Sequence, residues 1–142
     1  MTAACREACC SVTPRFTVAD LFERGFRRNR TAPFAIEGGA IADVEGNSAR
    51  FSVTLDGTKL ADLRFRVSSC TTLIAYSEAL TQLLRGLDAG LAAQFTPREL
   101  VAALPGVPAL KQNRAVLAIA ALRAALVAAH TNSIAHQGGN AR

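Results

Sequence analysis

Residues 50–67 constrain the fold more than any other stretch of this chain. Phe51, Val53 and Leu55 alternate with Arg50, Ser52 and Thr54, and after Asp56-Gly57 a second alternation sets Ala61, Leu63, Phe65 and Val67 against Asp62, Arg64 and Arg66. Side chains point to opposite faces along a strand, so a period of two gives each strand one apolar and one polar face. Asp-Gly between two such runs is a strong signal for a tight antiparallel turn. The spacing therefore predicts a hairpin covered on one side only, with a wet, basic outer face. A further strand is expected between residues 34 and 44, interrupted near Gly38-Gly39, to complete a three-stranded meander.

The flanking sequence is helical. Val18, Leu21, Phe22 and Phe26 recur at helical spacing, Thr17 can cap the helix they form, and its other face and end carry Arg24, Arg27, Arg28 and Arg30. Those arginines suit a solvated face and complement the helix dipole at its C-terminus. Arg24, Arg27 and Arg28 are also candidates for docking an acidic partner. After the hairpin a helix is predicted over residues 70–87, with Leu73, Ile74, Ser77, Leu80, Leu83 and Leu84 on its apolar stripe. Thr96-Pro97-Arg98-Glu99 reads as a capping box with Pro at the first helical position, starting a short helix stopped by Pro105-Gly106. Residues 111–130 are rich in Ala and Leu and form the last helix. Residues 1–14 read as a flexible leader, 15–130 as one domain and 131–142 as a flexible tail. Strands followed by a run of helices give the α+β class, a three-stranded antiparallel sheet with helices packed on one face.

Half of the 142 residues are apolar, enough for a core, and with no Trp that core must be made mostly of aliphatic side chains. The longest apolar run, residues 115–129, falls short of the roughly 20 residues that span a bilayer and contains Arg123. The N-terminus lacks the regions of a secretory signal, so a cytoplasmic location is expected. The net charge of +5 permits an acidic partner, but no nucleic-acid motif accompanies it and stacking aromatics are few. The four cysteines do not form a disulfide framework, because Cys5, Cys9 and Cys10 crowd the leader while Cys70 stands alone; free thiols in a reducing compartment follow. Cys5-x-x-x-Cys9-Cys10 could gather a soft metal, yet its spacing matches no zinc or cluster motif. His130 and His136 read as bystanders. No nucleophile–base–orienter set can be assembled, which argues against an enzyme.

Cys70 carries the clearest chemistry. It follows a strand and opens a helix, in Ser68-Ser69-Cys70-Thr71-Thr72, where unpaired N–H groups and the helix dipole favour a thiolate. The plain alternative is a small buried apolar side chain. This stretch resembles the strand-to-helix turn around a cluster cysteine in the IscU/NifU family of iron–sulfur scaffolds. Glu45-Gly46-Asn47 is similar to that family's Cys-Gly-Asp. The segment Val107-Pro108-Ala109-Leu110-Lys111-Gln112-Asn113-Arg114 resembles its Leu-Pro-Pro-Val-Lys segment, which is followed by His-Cys. Phe26-Arg27-Arg28-Asn29-Arg30 resembles its Tyr-x-Asn-Pro-Arg. The likeness runs in order over residues 17–130.

The resemblance implies that Glu45, Asn47, Cys70, Asn113 and Arg114 stand at former cluster-site positions, with only Cys70 retained as a metal-binding thiol. One thiolate, one carboxylate and an arginine make a poor iron site, since cluster iron prefers several thiolates. The same comparison suggests that Arg114 pairs with Glu45 where a metal was lost, and that Val107, Pro108 and Lys111 join the basic helix in binding a partner. No tightly bound cofactor is expected, only an iron–sulfur cluster held transiently. Three functions follow as alternatives. The chain is an assembly factor of scaffold type with most ligands lost, served by a cysteine desulfurase or other assembly machinery; or it is a binding subunit of a larger host complex; or it is a sulfur acceptor like SufE, using Cys70.

Overall fold

The computed structural model describes residues 17–31 and 39–140, with side chains throughout except at 28, 30, 31 and 132–140. The order is α1 (Val18–Thr31), β1 (Ile41–Ala42), β2 (Ser48–Asp56), β3 (Lys59–Val67), α2 (Thr71–Leu84), α3 (Ala89–Ala93), α4 (Pro97–Ala103), a 3₁₀ turn (Ala109–Lys111) and α5 (Arg114–Asn140). The strands form one antiparallel sheet in the order β1-β2-β3. The α+β architecture is thus the one expected. The leader and residues 34–38 of the expected first strand lie outside the described residues, and within the described chain that strand is only Ile41–Ala42. The short helix α3 was not anticipated, and α5 runs to Asn140 instead of ending near residue 130.

The hairpin folds as its alternation requires up to one irregularity. Phe51 pairs with Phe65 and Val53 with Leu63, and all four are fully buried. Between Thr54 and Leu55 the register shifts: Thr54 opposes Asp62, but Leu55 opposes Leu60. Ala61 is the extra residue of this bulge and is exposed, while Leu60 takes the core position assigned by alternation to Ala61. A bulge reverses the phase of a strand, so period two fails across it. The outer face is also not uniformly wet, for Ser52, opposite Arg64, is only 1% exposed. The free edge of β3 is covered near its start, where Leu60 N–H donates to Leu87 O at 2.8 Å and Gly86 N–H donates to Leu60 O at 2.7 Å. Pairing the edge in this way removes a template for association.

Helix α2 is enclosed by α1, α4, α5 and β3, and every residue from Thr72 to Thr81 is buried. The single stripe expected of it is therefore too narrow, and Leu83, placed on that stripe, is largely exposed. A helix covered on several sides loses the 3.6-residue pattern that marks a surface helix. The close approach of α1 depends on Gly25, where an added Cβ would lie 2.9 Å from Ile74 Cγ2 and 3.0 Å from Ile74 O. Thr17 caps α1 as expected, its hydroxyl accepting from Asp20 N–H at 3.1 Å. Thr96 and Glu99 form both arms of the predicted capping box on α4.

The segment Ala109–Thr131 is long and apolar enough by composition to cross a membrane, Arg123 notwithstanding, which the count of uninterrupted apolar residues missed. In the fold, Ala115, Ala118, Ile119, Ala121, Leu122 and Ala125 are buried, and the helix lies along β2 and against α2. This is the pattern of a core helix.

Candidate functional site

The site is built at the end of the sheet where β2 begins and β3 finishes. Asp43 organises the turn that leads into β2. Its Oδ1 accepts from Glu45 N–H and Asn47 N–H, each at 2.9 Å, and its Oδ2 accepts from the Asn47 side-chain amide at 3.1 Å. Gly46 completes the turn at φ +90°, a left-handed conformation that favours glycine. Burial pushes the Asp43 carboxyl up, but the hydrogen bonds from Asn47 and Glu45 and the charge of Arg114 outweigh it and hold it below the usual carboxylate range.

On the neighbouring strand, Ser68 extends the ladder past the end of β3. Its N–H donates to Ser48 O at 2.9 Å and its hydroxyl accepts from Ser48 N–H at 3.0 Å. Cys70 then takes the N-cap of α2 in an extended conformation, φ −112° and ψ 119°, with no side-chain capping hydrogen bond. It is a free, partly buried thiol. Asn29, at the end of α1, braces this strand end like an added strand: its Nδ2 donates to Val67 O at 3.2 Å and its Oδ1 accepts from Val67 N–H at 2.8 Å.

The first residue of α5 closes the site. Arg114 is buried, and its NH1 donates to Glu45 Oε1 at 2.6 Å and to Asn113 Oδ1 at 2.8 Å. The Cys70 side chain lies close enough to act on the same guanidinium. Cys70, and after it Glu45, outweigh burial and push the arginine further towards its charged form. Arg114 Nε is buried without a hydrogen-bond partner. The pair expected between Arg114 and Glu45 is therefore present in this geometry, with Cys70 and Asn113 beside it. Asn47 is held by Asp43 in the turn that carries Glu45.

The other expected site residues are dispersed. Arg24 and Arg27 lie on the exposed face of α1, where Arg27 NH2 stands 3.7 Å from Glu23 in an exposed pair; the side chain of Arg28 lies outside the described residues. Pro108 and Lys111 are exposed, but Val107 is 7% exposed and belongs to the core, so its side chain is not part of that surface. Cys5, Cys9 and Cys10 fall outside the described residues. Among the described residues no three of His, Cys, Asp and Glu come together as a metal site. The sequence reading missed Asp43 and Asn29. Asp43 could have been found, since Asp-x-x-Gly is a turn signature with the carboxylate placed to accept nearby N–H groups. Asn29 carries no local signal.

Comparison with known proteins places the chain in one family. The NifU-like N terminal domain matches residues 20–135. The chain is 32% identical over 90 residues to the nitrogen fixation protein NifU of Nostoc sp., covering 63% of this chain and 30% of that protein. With the NifU of Cereibacter sphaeroides it shares 36% identity over 83 residues, covering 58% and 34% respectively. It thus spans about a third of the length of these relatives. A hypothetical protein of solved structure shares the fold with a TM-score of 0.51 at 24% identity, covering 75% of this chain and 96% of that one. A second solved structure, described as a candidate iron–sulfur cluster assembly scaffold for the SUF system of Fervidobacterium islandicum, has a TM-score of 0.50 at 14% identity, covering 68% and 83%. Both likenesses are of fold. With the family match running from the first helix to the last, the chain belongs to the NifU-like N-terminal domain family.

Proposed function

We propose that this chain is an iron–sulfur assembly protein of scaffold type in which an ion pair has replaced most of the cluster ligands, and that it serves as a non-catalytic assembly or accessory factor. The observation that carries the reading is the 2.6 Å contact between Arg114 and Glu45 beside Cys70. Cluster iron is a cation bound through several soft thiolates. The site offers one thiol and one carboxylate, and the carboxylate is engaged by a guanidinium that cannot be deprotonated in a protein. A fixed positive charge between the two donors opposes iron directly, so this donor set does not fit a resident cluster. The cluster is at most transient cargo, and the working partner is a protein, either a cysteine desulfurase with its assembly machinery or a host complex. A cytoplasmic setting goes with this reading.

The test is iron and acid-labile sulfide content with a visible spectrum, on anaerobically purified and reconstituted protein and on Cys70→Ser. Colourless protein that resists reconstitution is the expected result. Cluster absorbance that disappears in Cys70→Ser would overturn the reading and show that substitute ligands hold a cluster.

A second reading has its own observation. Cys70 is a free, partly buried thiol at the N-cap of α2 with the Arg114 guanidinium beside it, and a guanidinium can donate a hydrogen bond to a persulfide formed there. That environment suits a sulfur acceptor of the SufE kind. Mass spectrometry after incubation with a cysteine desulfurase and cysteine distinguishes it: one added sulfur on Cys70 supports the acceptor, and none leaves the accessory role.

A further inference from the structure

We draw no further inference here: the strongest candidate, the exposed apolar patch formed by Val44 in the β1–β2 turn and Leu110 in the 3₁₀ turn before α5, on the two segments that the Glu45–Arg114 ion pair joins, borders the site already described, and nothing in the structure shows what covers it.

Discussion

Glu45→Ala is predicted to be more damaging than removal of its partner, although Glu45 is the more exposed member of the pair. The Arg114 side chain is 11% exposed and that of Glu45 54%. Truncating Glu45 leaves a buried guanidinium with Asn113 Oδ1 as its remaining close oxygen acceptor and an Nε already lacking a partner. Stranding a buried charged donor costs about 2–3 kcal/mol. Arg114→Met keeps an apolar stem in the same space and releases a half-exposed carboxylate to water, so its cost should be about 1 kcal/mol or less. Once Arg114 is Met, Glu45→Ala should add almost nothing. The double-mutant cycle then yields a coupling of about 2–3 kcal/mol. Urea unfolding followed by far-ultraviolet circular dichroism measures all four stabilities, and equal m-values would show that the denatured state is unaltered. Additive effects, or a Glu45→Ala cost no larger than that of Arg114→Met, would refute the reasoning.

Three further outcomes follow from particular contacts. Gly25→Ala brings a Cβ within 2.9 Å of Ile74 Cγ2 and 3.1 Å of Glu78 Cβ; overpacking of about 1–3 kcal/mol should exceed the helix-propensity gain of about 1 kcal/mol, giving a lower thermal midpoint. Asn29→Ala removes both hydrogen bonds to Val67 and should cost about 1–3 kcal/mol, with faster hydrogen exchange at Val67 and Ser68 as its local signature. For the Asp62 carboxyl, burial acts upward, but the hydrogen bond and charge of Arg64 and the charge of Arg85 prevail and set it below its ordinary 3.8. A depressed folded value means that its stabilisation is fully present above that pH and is lost as pH falls through the folded value. Asp62→Asn should accordingly reduce the acid-induced loss of stability below pH 3.8 in unfolding curves taken as a function of pH.

Local sequence determined the parts of this protein in which near neighbours settle the conformation. Asp56-Gly57 with alternation on both sides makes the hairpin, Thr96 and Glu99 cap one another three residues apart, and the strand-to-helix junction places Cys70 at the mouth of α2. The pairing of Arg114 with Glu45 was legible only through resemblance, because 69 positions separate the two and nothing local links them. The tertiary structure alone decided the rest. The bulge at Ala61 shifts which side chains face the core, and the contact that makes Gly25 necessary belongs to a crossing of α1 over α2. Asn29 reaches Val67 across 38 positions, and enclosure by three helices and a strand erases the periodicity of α2. Periodicity reports which side of an element meets water. It is silent wherever packing against distant segments covers several sides at once, and that is where the environment of Cys70 was assembled.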